Sequence, residues 1–508
     1  MIHYLGAGLF VLLTLRVSGQ DFNRPTPNNV PAYEFVQFDS ANTGFYLTTP
    51  FKLGLNANDP AFSIPKALMI LDADGYLAWY MIVNAQNVLD FKYIPALQAY
   101  SFIKYHDPAD TQFMIMDQSF QLIDSFTTTN GILPDVHDFQ ATANQTYLLS
   151  GIRDSILDLS SLVINGMPGA PQTHTLGFVV QEQDEDHNVL FQWDSNDHIP
   201  PGKGYTEYGY NPQAFDYCHG NAIEEEQDGG LLLSFRNLNA VYKIARPGGQ
   251  ILWELGGKSS SFSFSNDPGF SAQHDIRRLP NGNITLFDNA NMAAAPPVSR
   301  AVEYSLDTIN WIATKVWEFR YTPGFLSPAM GNHQTTADRR HLINYGLNFR
   351  PRPSFVLTDD AGSLLSELFF QDSFMSYRSY LFDLPLGNVP RPAINCSQDN
   401  GVVVLSAPPG YDRYEWSTGA QTAGIQVSEP GTYQVWTNYG MGMLGSKPFV
   451  ISDLSQACPV SSLEAIEPST SREILGYYDL LGRVVSLPVK GTIYAVRYGD
   501  GRMRLQVY

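Results

Sequence analysis

Three histidines occupy equivalent places in what look like consecutive repeats of this chain. His137, His219 and His274 are each followed by a polar turn and then by an apolar strand. Equivalent residues of a radially repeating fold converge on its axis. A packed core rarely needs three equivalent titratable groups, so the pattern indicates a functional site. A neutral imidazole can act there as a nucleophile or as a proton carrier near pH 7.

The residues around the middle histidine add groups that suit an anion. His219-Gly-Asn221 is followed by a strand that ends in Ser-Phe-Arg236. The guanidinium of an arginine carries a permanent charge on a planar fork of N–H groups, and an asparagine side chain donates single hydrogen bonds. The candidate site residues are therefore His274, His219, Arg236, His137 and Asn221.

Other interpretations of these residues stay open. Three imidazoles are a ligand set for a divalent metal ion, although Arg236 in the same site disfavours a cation. His333 falls at a similar point of the next repeat, where it either lines the channel or packs. Cys218 adjoins His219, but neighbouring strand residues point to opposite faces, so we interpret Cys218 as a packing residue.

Residues 60–385 repeat a unit of strand, Asp/Gly turn and strand. Its copies lie at residues 66–79, 113–126, 176–193, 241–253, 301–317 and 355–365. Short strands, turn residues and a Trp near several outer strands favour an all-β protein whose main domain is a six-bladed β-propeller. A β-sandwich is the alternative, but six similar units argue against it.

The net charge and the amino-terminal segment predict which partners and which cellular compartment the protein has. The chain has 508 residues and a formal net charge of −19. Binding to phosphates needs a basic surface, so no nucleic acid partner is expected. The apolar run from Gly6 to Leu15 precedes the small residues Val17-Ser-Gly19, which indicates a secretory signal over residues 1–19. No later stretch is long and apolar enough to predict a membrane span.

A second module follows the repeats. Residues 391–459 contain alternating strands, such as 411–419 and 431–435, that resemble the immunoglobulin-like modules of large bacterial surface proteins. Cys396 and Cys458 lie at its two ends and are predicted to form a disulfide, which leaves Cys218 free. The expected boundaries are a signal at 1–19, a propeller at 20–388, an immunoglobulin-like β-sandwich at 389–462 and a C-terminal β module at 463–508.

The C-terminal module contains two motifs that each begin with glycine. They are Gly476-Tyr-Tyr-Asp-Leu-Leu-Gly-Arg483 and Gly491-Thr-Ile-Tyr-Ala-Val-Arg-Tyr498. This pattern resembles the carboxy-terminal sorting domain of the type IX secretion system, which carries cargo across the outer membrane and usually removes the tail. The resemblance implies the type IX machinery as a partner. It also implies a protein that is secreted or held at the cell surface after passing through the periplasm.

The order of motifs between residues 130 and 345 supports a second resemblance. The chain reads His-x-Asn, Ser-x-Arg, Trp-x-Leu-Gly, Gln-His and Phe-Asp-Asn. In this order the motifs resemble the bacterial arylsulfate sulfotransferases, which move sulfuryl groups between phenols without a nucleotide sulfate donor. The resemblance implies a propeller with its site in the central channel, and members of that family often act as dimers, so a homodimer is one expectation.

The resemblance also assigns roles to the candidate residues. The histidine of the Gln-His element becomes transiently sulfated in that family, and here it is His274. His219, Asn221 and Arg236 carry over from the neighbouring motifs, and His137 carries over from the preceding repeat. The expected substrates are an aryl sulfate donor and a phenolic acceptor, with no cofactor and no metal ion. The sequence leaves open two other classes, a metal enzyme and a non-catalytic surface propeller that binds glycan or protein.

Overall fold

The structure is a computed structural model that describes residues 23–39, 43–54, 64–164 and 166–458, together with four strands between residues 474 and 507. The expected signal at 1–19 and much of the expected module at 463–508 lie outside the described residues. No helix in the described part is long and apolar enough to cross a membrane.

The described residues form an all-β protein, which confirms that prediction. Runs of β-branched and aromatic residues make the strands, and Asp/Gly turns join them. The turn that begins at Asp72 is an example of such an Asp/Gly turn. The Asp72 Oδ1 atom accepts the Tyr76 N–H at 3.0 Å, while Gly75 takes a φ of 79° that side chains disfavour. This turn joins the two antiparallel strands of the repeat unit at residues 66–79.

The strands between residues 33 and 194 are β1 (Tyr33–Gln37), β2 (Phe45–Phe51), β3 (Lys66–Leu71), β4 (Leu77–Val83), β5 (Asn87–Ile94), β6 (Ala99–Asp107), β7 (Asp110–Met116), β8 (Leu122–Phe126), β9 (Leu133–Ala141), β10 (Tyr147–Leu157), β11 (Val163–Ile164), β12 (Met167–Pro168), β13 (Thr173–Gln183) and β14 (Val189–Asp194). Helical turns follow at α1 (Ser195–His198), Pro201–Lys203, Thr206–Tyr208 and Arg236–Leu238.

The strands between residues 220 and 382 are β15 (Gly220–Glu225), β16 (Leu231–Phe235), β17 (Ala240–Ile244), β18 (Ile251–Gly256), β19 (Ser263–Ser265), β20 (His274–Arg278), β21 (Ile284–Asp288), β22 (Arg300–Asp307), β23 (Ile312–Phe319), β24 (Asn332–Thr335), β25 (His341–Asn344), β26 (Phe355–Thr358), β27 (Leu364–Phe370) and β28 (Met375–Phe382). A short 3₁₀ turn at Pro385–Asn388 ends this part of the chain.

The remaining strands are β29 (Asn395–Asp399), β30 (Val402–Ser406), β31 (Tyr414–Trp416), β32 (Gly424–Val427), β33 (Gly431–Tyr433), β34 (Val435–Tyr439), β35 (Gly442–Gly445), β36 (Phe449–Ile451), β37 (Ile474–Tyr478), β38 (Val484–Val485), β39 (Ile493–Tyr498) and β40 (Met503–Val507). A 3₁₀ turn lies at Leu454–Gln456.

Strands β2 to β28 form antiparallel sheets of four strands that follow one another along the chain. Their orders are β28-β2-β3-β4, β5-β6-β7-β8, β9-β10-β13-β14, β15-β16-β17-β18, β20-β21-β22-β23 and β24-β25-β26-β27. Strand β1 extends the last of these sheets beside β27, and β19 runs parallel to β23. Apolar side chains fill the space between neighbouring sheets. Leu148, Phe178, Leu233 and Phe235, for example, share one buried cluster.

The first strand of each sheet contacts the first strand of the next, and these contacts close a ring. Around the ring the strands are β28, β5, β9, β15, β20 and β24, and β24 contacts β28 again. The ring closes because β28, from the end of this region, pairs with β2 from its beginning, as in the register of Thr48 with Ser379. Closure of the ring brings the histidine-bearing strands β9, β15 and β20 side by side.

Residues 389–458 join the outer edge of the first four-stranded sheet, at β4. Strand β35 pairs with β4, with Met443 opposite Tyr80, so that β31, β34 and β35 continue the first sheet. The Trp436 Nε1–H donates to the Leu77 carbonyl at 3.0 Å across this junction. Strands β29, β30 and β32 form a second sheet, and β33 pairs with β36.

The cysteines are placed as the sequence predicted. Cys396 and Cys458 are bonded, with their Cα atoms 5.2 Å apart, and Cys218 is buried and free. Beyond Cys458, strands β37 to β40 form an antiparallel sheet in the order β38-β37-β39-β40.

Candidate active site

A cavity of about 660 Å³ opens at one end of the ring of inner strands. Four of the five candidate residues line it, namely His137, His219, His274 and Arg236. Most of the remaining lining is apolar and comprises Phe51, Leu53, Leu89, Tyr105, Pro108, Leu133, Pro134, Val136, Ile152, Leu176, Ala329, Met330 and Tyr377. The cavity therefore combines a small polar end with apolar walls, as small-molecule sites usually do.

Irregular strand pairing aims the three histidines into this cavity. The register slips between β9 and β10 opposite residues 135–138, between β15 and β16 at Asn221, and between β20 and β21 just after His274. Extra residues in one strand bend it and redirect its side chains. His219 (φ 49°) and Asp275 (φ 61°) take the left-handed conformation at these points. The repeat seen in sequence is thus a repeated bulge in three neighbouring inner strands.

His137 and His219 each bond a carboxylate through Nδ1. Both carboxylate oxygens of Asp135 lie close to His137 Nδ1, at 2.8 and 2.9 Å. Asp216 Oδ2 bonds His219 Nδ1, and its Oδ1 atom accepts the His219 backbone N–H at 2.9 Å. The two imidazole rings meet edge to face with centroids 4.8 Å apart. Because each Nδ1 faces a carboxylate, each ring keeps Nε2 for other partners.

The groups around His219 affect its pKa in opposite directions. Burial lowers the pKa of His219, but the negative charge and hydrogen bond of Asp216 outweigh burial, so the net pKa of His219 is raised. The paired histidines in turn hold the pKa values of both carboxyls below the ordinary range, against the opposing effect of burial. His219 therefore has an increased tendency to carry a proton near neutral pH.

His274 is held in a different way. Its Nδ1 lies 3.0 Å from the Ala272 carbonyl and 2.8 Å from Asn289 Oδ1, and both of these atoms are acceptors. The Asn289 amide is oriented by its Nδ2, which donates to the Ser327 carbonyl at 2.8 Å. Nδ1 must therefore carry the ring proton, and Nε2 presents its lone pair. That atom accepts a hydrogen bond from the Met330 N–H at 3.2 Å.

His274 is neutral in this environment. The residue is only 2% exposed, and burial lowers its pKa well below the ordinary value. Arg236, His137 and His219 act in the same direction, whereas the hydrogen bond to Asn289 opposes them. A neutral ring with a fixed Nδ1–H and a lone pair on Nε2 has the electronic state that a nucleophilic imidazole needs.

Arg236 brings a half-buried positive charge to the same cavity without a carboxylate partner among the described residues. Its Nη1 donates to Asn237 Oδ1 at 2.8 Å, and its Nη2 reaches the Pro328 carbonyl at 3.4 Å. The guanidinium carbon lies 4.7 Å from the centre of the Tyr208 ring. Burial lowers the pKa of Arg236, yet a guanidinium stays charged at neutral pH. A half-buried cation without a carboxylate partner suits a bound anion.

The structure corrects the expected place of Asn221. Its side chain is fully buried and does not line the cavity. Nδ2 donates to the Gln273 carbonyl at 2.8 Å, and Oδ1 lies 3.4 Å from the Asp275 N–H. The bulge in β15 turns this residue sideways toward β20, so Asn221 holds the backbone on either side of His274 and does not face a ligand.

Sequence reasoning missed Asp135, Asp216 and Asn289 as functional residues. Two sequence patterns could have identified these residues. An aspartate precedes His137 by two residues and His219 by three, and Asn289 ends the Phe-Asp-Asn motif. His333 packs instead of lining this cavity. It is buried, stacks on Trp317 with ring centroids 5.1 Å apart, and bonds His341.

A layer of fully paired charges lies beneath the cavity. Asp138 accepts from Arg277 Nη2 at 3.0 Å, Lys92 Nζ at 3.2 Å and Arg378 Nη1 at 3.2 Å. It also accepts the Ile223 N–H at 2.9 Å, and its pKa is far below the ordinary range because these cations outweigh the effect of burial. This layer ties the strands that carry the three histidines to one another. In the part of the chain that is described, no group of His, Cys, Asp and Glu side chains is arranged to hold a metal ion.

Comparison with known proteins supports the family suggested by the motifs. Residues 110–351 match the model of the arylsulfotransferase (ASST) family, and they include all five candidate residues. The match supports the arylsulfotransferase family and, with it, a transferase. No curated protein matches the chain.

Solved structures resemble this one only distantly. A Bacteroides caccae protein of unknown function is 10% identical, with a TM-score of 0.42 over 67% of this chain and 99% of its own. TolB from Acinetobacter baumannii is 11% identical, with a TM-score of 0.34 over 66% and 67% of the two chains. Virginiamycin B lyase from Staphylococcus aureus is 9% identical, with a TM-score of 0.33 over 74% and 96%.

Proposed function

We propose that this protein transfers sulfuryl groups from an aryl sulfate to a phenol, with His274 as the nucleophile that carries the group between them. One observation supports the proposal above all others. A neutral His274, whose Nδ1–H is fixed and whose Nε2 holds the lone pair, shares a cavity with the guanidinium of Arg236, which has no carboxylate partner in the described residues. A nucleophile and an unpaired cation in one place suit attack on an anionic group.

In the first half-reaction, His274 Nε2 attacks sulfur, a nitrogen–sulfur bond forms and the bond from sulfur to the aryl oxygen breaks. In the second, the acceptor oxygen attacks sulfur and the nitrogen–sulfur bond breaks. The transferring group spreads negative charge over its oxygens, as a phosphoryl group does. Arg236 meets that charge with a planar fork of donors, and His219 and His137 add single hydrogen bonds from Nε2 when protonated.

The rest of the cavity suits an aromatic substrate. Its walls carry Phe51, Leu89, Ile152 and Leu176 among other apolar side chains. Donor and acceptor can occupy the same walls in turn, because the covalent step lets the first phenol leave before the second enters. Burial of an aromatic ring against such walls stabilises the complex without fixing the substituents.

The finer architecture is part of the same proposal. The ring of inner strands supports the interpretation of the six sheets as blades of a six-bladed β-propeller, with the cavity at one mouth of its channel. Residues 389–462 are proposed to be an immunoglobulin-like module fixed to the first blade. The signal at 1–19, the sorting tail at 463–508, export through the periplasm by the type IX system and a homodimer stay predictions from sequence.

Kinetics with a chromogenic aryl sulfate test the activity. Mixing the protein with the donor alone should release a burst of phenol equal to the amount of protein. Adding a phenol should then give steady turnover with the parallel double-reciprocal lines of a ping-pong mechanism. His174→Ala is a matched control, because His174 also bonds a carboxylate, Asp154, but lies on the surface. Absence of both burst and turnover in the wild-type protein would refute the proposal.

A further inference from the structure

The two Asp–His pairs of the cavity are not equivalent, although sequence presents them as copies. Asp135 is buried and places both oxygens near His137 Nδ1, and its Oδ2 atom also accepts the His137 backbone N–H at 3.1 Å. Asp216 is 36% exposed at its side chain and uses one oxygen for His219 Nδ1 and the other for the His219 backbone N–H. Each aspartate therefore fixes a ring and the backbone beside it, and the two pairs differ in exposure, since the side chains of Asp216 and His219 are more exposed than those of Asp135 and His137.

The charges that face each ring also differ. His219 meets Asp216 on its own segment, Asp135 and His137 on β9, and Arg236 after β16. His137 meets Asp135, the His219 ring and the face of Tyr377, whose hydroxyl donates to the His137 carbonyl at 3.0 Å. With ring centroids 4.8 Å apart, protonation of one imidazole disfavours protonation of the other.

A small cleft lies behind both rings. Its volume is about 50 Å³, and Asp135, His137, Asp216 and His219 all line it. A space of this size with several polar partners can hold a water molecule. Water there would let the two pairs exchange protons while substrate fills the main cavity. The cleft therefore links the carboxylate sides of the two rings, and the Nε2 sides stay toward the substrate.

We propose that Asp216 is a positioning residue that makes His219 the proton donor to the departing phenol, whereas Asp135 only orients the His137 ring. The inference rests on the proposed sulfuryl transfer. In the first half-reaction the His219 Nε2–H passes its proton to the aryl oxygen as the sulfur–oxygen bond breaks, and neutral phenol leaves. In the second, the acceptor phenol gives its proton to Nε2 of neutral His219 as its oxygen bonds sulfur. The proton count is restored after each cycle.

The division of roles predicts different responses to two matched substitutions. A proton donor matters most when the departing phenol is a weak acid, because a strongly acidic phenol leaves as the anion unaided. Asp216→Asn should lower kcat/KM about a hundredfold for an aryl sulfate whose phenol has a pKa near 10, and less than about tenfold for a nitrophenyl sulfate. Asp135→Asn should lower kcat/KM by a similar factor for both donors.

The pH profile gives an independent readout. Protonated His219 is the active form for poor leaving groups, and Asp216 raises the pKa of that ring. Activity with the poor donor should therefore fall as pH rises through the pKa of His219. Removing the carboxylate charge lowers that pKa, so Asp216→Asn should move this alkaline limb to lower pH. Asp216→Glu, which keeps the charge, should restore much of the wild-type profile.

The experiment measures kcat/KM and its pH dependence for the two donors in the wild type, Asp216→Asn, Asp216→Glu and Asp135→Asn, with Asp154→Asn as the surface control. A folded Asp216→Asn protein should keep its near-ultraviolet circular dichroism and its burst with nitrophenyl sulfate. Equal losses for both donors, or an unmoved alkaline limb, would overturn the role of Asp216. A wild-type protein without a phenol burst would instead refute sulfuryl transfer itself, so the two failures are distinguishable.

Discussion

Two polar layers lie along the same inner strands, and they differ in how completely their charges are paired. In the cavity layer, the Arg236 guanidinium has no carboxylate partner among the described residues and His274 offers a lone pair. In the layer beneath, Asp138 is surrounded by three cations and a backbone N–H. The two layers are one residue apart on β9, where His137 lines the cavity and Asp138 belongs to the layer beneath.

This contrast distinguishes a structural charge cluster from a reactive one. A buried charge without a partner is costly, so natural cores pair their charges. The lower layer follows that rule and joins β5, β9, β20 and β28. The upper layer departs from it, and its unmet hydrogen-bonding capacity is what a sulfuryl group would satisfy. Burial alone does not separate the two layers, whereas the state of charge pairing does.

The largest expected effect is on the nucleophile. His274→Ala should abolish both phenol release from the donor and formation of the sulfated acceptor, a loss of at least about a thousandfold in kcat, because both steps use the same nitrogen. Steady-state kinetics and the phenol burst measure it. Near-normal turnover in this variant would move the covalent step to another residue, with His219 the next to test.

Loss of the unpaired charge comes next. Arg236→Lys keeps a positive charge but loses the planar fork, so kcat should fall about a hundredfold to a thousandfold. Arg320→Lys is the control, because Arg320 lies outside this cavity and is largely exposed. Wild-type kinetics in Arg236→Lys would show that the fork does not contact the transferring group.

The paired layer should respond in stability instead of chemistry. Asp138→Asn leaves Lys92, Arg277 and Arg378 short of one negative charge, so the free energy of unfolding should fall by about 3–5 kcal/mol. Denaturant unfolding followed by tryptophan fluorescence measures the change. At temperatures where the variant is folded, kcat should stay within about tenfold of wild type, a smaller effect than a lost donor has in the cavity. A stable variant without activity would place Asp138 in the reaction.

Sequence patterns predicted the cavity layer better than the paired layer. The three histidines and Arg236 follow the repeat, so their convergence could be read from spacing alone. Asn221 was misplaced because alternation of side chains fails at a bulge, and nothing in the sequence marks the bulge. The charge cluster could not be predicted from the sequence, because Lys92, Asp138 and Arg378 are far apart in the chain and belong to no shared motif.

Some features of the fold were likewise beyond sequence reasoning. The all-β class and the disulfide between Cys396 and Cys458 follow from strand patterns and cysteine positions. Closure of the ring by β28, and the pairing of β35 with β4, depend on contacts between distant segments. No local sequence pattern predicts which sheet edge a strand distant in sequence will join.

The smallest expected effect comes from the carboxyl terminus. Truncation at Thr470 removes β37 to β40, which contribute no residue to either layer. The truncated protein should match the full chain in kcat and in unfolding temperature, but it should remain in the periplasm of the producing cell. Fractionation and activity assays measure both properties, and normal export of the truncated protein would contradict the sorting role of this tail.

The central claim, that His274 carries the sulfuryl group, is tested most directly by locating the covalent intermediate. The wild-type protein is mixed with an aryl sulfate in the absence of acceptor, quenched at alkaline pH, digested and analysed by mass spectrometry. The account predicts one sulfuryl group on the peptide that contains His274, bound through the ring and lost when a phenol is added before the quench. A sulfuryl group on His137 or His219, or an unmodified protein that nevertheless turns over, would contradict it.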